Sequence, residues 1–126
     1  IFHKAVAGTP FECFLSENTR LPMMYMPDAI RATIGIMEAE SEKVLLRSSY
    51  NISGFDFTPA ELANEIRKHI PEFEISYNPD FRQEIADGWP SSIDDSVARQ
   101  DWNWNNEYSL EMMTKDMLSH LAEKVI

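Results

Sequence analysis

Three histidines, one cysteine, two close acidic pairs and an arginine–tryptophan pair are the side chains that residue type and spacing put forward for chemistry. His3, His69 and His120 are far apart, and none has a second histidine or cysteine at the three- or four-residue spacing of a helical metal site. No metal site is expected. Cys13 lies in the run Phe11-Glu12-Cys13-Phe14-Leu15, where a thiol packs as a small hydrophobe rather than reacting as a thiolate. Glu38/Glu40 and Asp94/Asp95 read as solvated or capping carboxylates, because acid–base work needs a geometry that adjacency does not supply.

Trp89 and Arg82 carry more. Trp89 stands between Gly88 and Pro90, in a turn after a short polar helix. An indole there serves either as a core plug or as the wall of a ligand pocket. Arg82 follows Asn78-Pro79-Asp80-Phe81 at a helix start, where a cation opposes the positive end of the helix dipole. A carboxylate or phosphate must offset that cost, either in a local ion pair or on a ligand. The methionines at 23, 24, 26, 112, 113 and 117 are expected to fill the core.

The elements that hold these residues follow from punctuation and period. Ile1 to Ala7 reads as the end of a helix, stopped by Gly8 and Pro10, and Phe11–Leu15 as a strand. The apolar run Met23 to Met26 ends at Pro27. Asp28 is the expected N-cap of a helix to about Glu38, with Ile30, Ile34 and Met37 on one face. Tyr50–Ser53 predicts a short buried strand closed by Gly54. Thr58-Pro59-Ala60-Glu61 combines a cap, proline at the first helical position and glutamate at the third, opening a helix that Pro71 stops. Phe73–Tyr77 alternates as a half-buried strand. Asp80 is expected to cap a helix to Gly88, Asp94 or Asp95 one to Trp102, and Ser109 the last helix, striped by Leu110, Met113, Met117 and Leu121. Helices alternate with short strands, so the fold class is α/β or α+β.

Length and charge set the outer limits. The 126 residues suit a single domain, 1–126, and 44% apolar with 25% charged residues suits a globular chain. No apolar run approaches the roughly 20 residues of a membrane span. Eleven Lys+Arg against 21 Asp+Glu give a net charge of −10, which argues against nucleic acid or anionic membranes as partners. A lone cysteine forms no internal disulfide and suits a reducing compartment. Gly8, Gly35, Gly54 and Gly88 are too dispersed for a phosphate-cradling loop. Ile1 in place of Met, with no cap before the first helical sequence, suggests a piece of a longer protein.

The segments Arg20-Leu21-Pro22-Met23-Met24-Tyr25-Met26-Pro27-Asp28-Ala29-Ile30-Arg31-Ala32, Tyr50-Asn51-Ile52-Ser53 and Phe57-Thr58-Pro59-Ala60-Glu61-Leu62 together resemble the C-terminal part of extended short-chain dehydrogenases. Asp94-Asp95-Ser96-Val97-Ala98-Arg99-Gln100-Asp101-Trp102-Asn103-Trp104 fits the closing Asp-Ser-x-Ala-Arg-x-x-Trp-x-Trp pattern of that superfamily. Leu21-Pro22-Met23-Met24-Tyr25 and Arg82-Gln83-Glu84-Ile85-Ala86-Asp87-Gly88-Trp89-Pro90 resemble its epimerase-like, NAD-dependent L-threonine 3-dehydrogenases.

The resemblance implies an α/β fold of distal Rossmann-type strands plus a small mixed substrate-binding lid. It implies oxidation of L-threonine to 2-amino-3-ketobutyrate, a homo-oligomer (a dimer in the full-length form), and NAD bound by an N-terminal part absent here. The compartment it suggests is the cytoplasm or the mitochondrial matrix. The family's general base belongs to a Tyr-x-x-x-Lys pair. Four positions after Tyr25, Tyr50, Tyr77 and Tyr108 stand Ala29, Gly54, Phe81 and Met112, so the chain alone is expected to be inactive. Trp89 and then Arg82 are the candidates for substrate binding, with Met23 and Met24 near the crevice between the halves. Nucleotide-sugar epimerases and dehydratases are the competing reading. They carry an Arg-x-Gly-Asp-like segment where this chain has Arg82-Gln83-Glu84-Ile85. A noncatalytic acidic interaction module is the third.

Overall fold

Thr58 starts the helix around which the larger core assembles. In the computed structural model, which describes residues 1–123, its hydroxyl accepts a hydrogen bond from the Glu61 N–H at 3.2 Å. The Glu61 carboxylate in turn accepts from the Thr58 N–H at 3.0 Å. Both otherwise orphaned donors are thus satisfied, and Pro59 supplies a pre-set φ without needing a partner. Thr58→Ala should lower stability by about 1 kcal/mol, read as a shifted urea midpoint at constant m-value. An unchanged midpoint would show the cap to be dispensable.

The helix so capped, Pro59–Arg67, is the third of six among the described residues: α1 Phe2–Val6, α2 Met26–Glu38, α3, α4 Arg82–Asp87, α5 Ser96–Trp102 and α6 Leu110–Glu123. Leu62, Ala63 and Ile66 on α3 are buried against Met113 and Leu118 of α6, and Ala5 of α1 joins them. Four short strands complete the mixed α/β architecture. Strand β1 (Phe11–Cys13) pairs in parallel with β4 (Ile75–Tyr77), placing Cys13 opposite Tyr77. Strand β2 (Leu21–Met23) pairs antiparallel with β3 (Phe55–Phe57), placing Leu21 opposite Phe57. Gly54 lets that second pair close. A Cβ there would lie 2.9 Å from the Met23 carbonyl oxygen, inside contact distance.

Several expectations need correction. Tyr50–Ser53 is not a strand: Tyr50 Oη donates to Asp101 at 2.7 Å, the Ser53 N–H donates to Asp95 at 3.2 Å, and pairing begins only at Phe55. Asp28 is not an N-cap. Tyr25 holds that position, and Asp28 sits within the first turn, wholly buried. Its carboxylate accepts from the Glu107 and Tyr108 N–H groups and from Arg31 at 2.6 Å, fixing the segment that leads into α6. The methionines divide: Met113 is core, whereas Met26, Met112 and Met23 are exposed. Ile30, Ile34 and Met37 do share a face of α2, but that face points outward, and the buried positions are Asp28 and Ala32.

A second, smaller core forms where Ala32 of α2 meets Ala98 of α5 and Trp104. Asp95 is its polar centre. The residue is 8% exposed, and its carboxylate accepts from Arg99 at 2.8 Å, the Trp104 indole N–H at 3.0 Å and the Ser53 N–H. Capping of α5 falls instead to Asp94, which accepts from the Ser96 N–H at 2.9 Å.

Candidate functional site

The turn between β1 and β2 and the short helix α4 face one another across an apolar groove of about 160 Å³. Phe14, Leu15 and Leu21 form one wall; Arg82, Ile85, Ala86 and Trp89 form the other. The structure therefore brings both sequence-predicted site residues to one place. Trp89 is 61% exposed, which removes the core-plug alternative for this chain. Its N–H bonds the Ala86 carbonyl at 3.0 Å, so the indole rides directly on the end of α4.

Arg82 has the local partner that its position required. Its guanidinium donates to Asp80 through Nε at 3.0 Å and Nη2 at 2.6 Å, and lies 3.4 Å from the centroid of the Phe14 ring. The bidentate pair holds the Asp80 carboxyl below the usual carboxylate range and raises Arg82 in turn. Nη1 takes no part in these bonds, which leaves one donor edge of a fixed cation beside the groove.

Behind Phe14, Leu15 and Leu21 the groove meets a second apolar cavity of about 270 Å³, bounded in part by Cys13, Met23 and Phe57. Met23 faces this space, whereas Met24 packs against the smaller core. Cys13 is buried and unpaired. Among the described residues, no group of three His, Cys, Asp or Glu side chains is placed to hold a metal.

The two tyrosines whose phenols are shifted are not set up as bases. Tyr25, at the start of α2, donates to Asp116 at 2.6 Å, and burial together with that carboxylate pushes its phenol up to about 12. Tyr77 is likewise raised, chiefly by burial. A general base working near neutral pH needs the opposite shift.

The residue that sequence reasoning missed is Gln83. Its amide oxygen accepts from the Ser16 N–H at 2.8 Å, and its amide nitrogen donates to Thr19 Oγ1 at 2.9 Å and to Asp87 at 2.6 Å. Only the Asp87 contact is local. The other two span more than sixty residues and leave no mark in the sequence pattern.

No protein-family model matches the chain. Individual relatives do. Over 120 residues, 94% of the chain, it is 51% identical to the mitochondrial L-threonine 3-dehydrogenase of Bos taurus, of which it covers 32%. A solved GalE-like L-threonine dehydrogenase from Cupriavidus necator superposes with a TM-score of 0.93 at 60% identity, covering 95% of this chain and 43% of that one. A UDP-glucuronic acid 4-epimerase from Bacillus cereus, solved with UDP-glucuronic acid and NAD, shares the fold at a TM-score of 0.79 but only 15% identity, covering 99% of this chain and 38% of its own. The chain thus spans about a third of the length of the curated threonine dehydrogenase it matches. Among the described residues no helix is long and apolar enough to cross a membrane. Over nearly its whole length the chain is thus similar to part of the L-threonine 3-dehydrogenases, and it shares the Rossmann-type extended fold of these neighbours.

Proposed function

We propose that this chain is the C-terminal, substrate-side portion of an NAD-dependent L-threonine 3-dehydrogenase, which oxidises the hydroxyl-bearing carbon of L-threonine to give 2-amino-3-ketobutyrate. The observation that carries the reading is the convergence of Trp89 and Arg82 on one groove, in a chain 60% identical to a solved threonine dehydrogenase. Threonine is small. A wall that closes on its methyl group and keeps water from the reacting carbon supplies both specificity and placement, and an indole does both. The free edge of the Arg82 guanidinium suits the substrate's carboxylate.

Three of the helix starts in this chain are poorly suited to a dinucleotide. A pyrophosphate seeks a helix N-terminus with free N–H groups. Here the first turns of α3, α4 and α5 are already met by the carboxylates of Glu61, Asp80 and Asp94, which would repel it. We therefore assign NAD, the general base and hydride transfer to the part of the enzyme that this chain does not span, and to the residues here binding, orientation and the exclusion of water. The 15% identity to the sugar-nucleotide epimerase supports the fold but not its substrate. The outward ridge of Met26, Ile30, Ile34 and Met37 is the kind of surface a subunit or domain covers, in keeping with a homo-oligomeric complete enzyme. The cytoplasm, or the mitochondrial matrix as for the bovine relative, suits the unpaired cysteine.

By calorimetry the isolated chain should bind NAD no more tightly than millimolar, and it should not reduce NAD with threonine. Joined to the dinucleotide-binding part it should do both. Clear NAD reduction by the pure 126-residue chain would overturn the division of labour.

A further inference from the structure

We propose that Gln83 is a positioning residue: it sets the register between α4, which carries Trp89, and the Ser16–Thr19 turn, and so fixes the width of the groove. The proposal rests on the reading of the groove as the threonine side of the enzyme.

Among the described residues, helix α4 has little else to hold it. Six residues are too few for a helix to persist alone, and α4 buries only Ala86. Ile85 and Trp89, which would anchor a packed helix, stand more than half exposed. What fastens α4 to the opposite wall is the Arg82 stack on Phe14, the Asp80 N–H donating to the Phe14 carbonyl at 3.3 Å just ahead of the helix, and the Gln83 amide. The Asp80 bond and the stack hold only the start of the helix. The amide holds its flank, with its polarity fixed at both ends: the Ser16 N–H can only donate and the Asp87 carboxylate can only accept. Thr19 is 9% exposed and its hydroxyl also lies 2.6 Å from Ser16 Oγ, so the turn that Gln83 grips is itself tied. Trp89 follows the helix through its bond to Ala86. A shift of α4 is therefore a shift of the indole.

The test uses the complete enzyme labelled with 5-fluorotryptophan, with the Trp89 line assigned by its loss in Trp89→Phe. Gln83→Ala should shift and narrow that line alone. It should raise KM for threonine by roughly tenfold, leave KM for NAD unchanged and barely move the melting temperature. Gln83→Glu sets a carboxylate against Asp87 and should disturb the same line. Adding Asp87→Asn restores a donor opposite the new acceptor, and the double variant should return the line and the KM toward wild type. If Gln83→Ala leaves the Trp89 line in place, the inference is wrong. If all the indole lines move together with early melting, Gln83 is merely structural and the inference is equally wrong. If the Trp89 line moves and KM for threonine does not, Gln83 positions the indole as proposed, and the reading of the groove as the threonine site fails instead.

Discussion

Trp89→Ala in the complete enzyme should lower kcat/KM for threonine by on the order of 100-fold, the loss that follows when a small substrate is no longer held against its reaction partner. Stability should hardly change. Truncating a buried tryptophan costs roughly 3–5 kcal/mol, but within this chain the indole is 61% exposed and its packing here forfeits only a fraction of that. Trp89→Phe keeps a wall of lesser reach without the indole N–H, and should give a smaller loss at an unchanged melting temperature and unchanged NAD affinity. A variant that melts early yet turns over threonine normally in its folded fraction would make Trp89 structural.

Asp95→Asn should destabilise the chain by about 3 kcal/mol at neutral pH. This is the low end for breaking a buried ion pair, because Arg99 is over a third exposed and keeps Asn105 and Asn106 as partners. Burial by itself pushes the Asp95 carboxyl up. The hydrogen bonds from Arg99, the Ser53 N–H and the Trp104 indole outweigh it and hold the group below the ordinary carboxylate value. A carboxyl depressed in the folded state contributes its full stability above the unfolded value of about 3.9. It loses that contribution as pH falls through the folded value. The gap between wild type and Asp95→Asn, from urea unfolding at a series of pH values, should therefore be constant from pH 7 to about 5 and close below about 4. A gap independent of pH would mean that the charge of Asp95 is immaterial.

The features that the sequence made legible are the local ones. Thr58 and Glu61 are three residues apart and complete each other's hydrogen bonds, so their cap is readable without knowledge of the rest of the chain. Ser109, whose hydroxyl accepts from the Met112 N–H at 3.2 Å, is readable for the same reason. Pairings made across the chain are not. Phe55–Phe57 becomes a strand because Leu21–Met23 lies beside it, while the neighbouring Tyr50 and Ser53 are drawn off by Asp101 and Asp95. Asp28 looked like a cap because it precedes an apolar period. It is buried instead by the segment around Glu107, some eighty residues on.

The candidate site divides along the same line. Trp89 stood out through the glycine and proline beside it, and Arg82 through its unfavourable place at a helix start. Nothing local marked Phe14, which receives the Arg82 guanidinium, or Gln83, whose partners Ser16 and Thr19 are distant in sequence. The outward ridge of α2 has the same apolar period as a buried face, and periodicity does not say which side a core lies on.

The most direct measurement of the central claim places these 126 residues in the Cupriavidus necator threonine dehydrogenase in exchange for the segment they match, at 60% identity. The chimera is then assayed for NAD reduction with L-threonine and for epimerisation of UDP-glucuronic acid. The account predicts threonine-dependent NAD reduction that Trp89→Ala cuts on the order of 100-fold, with no epimerisation. A well-folded chimera that binds NAD and turns over the sugar nucleotide but not threonine would contradict it.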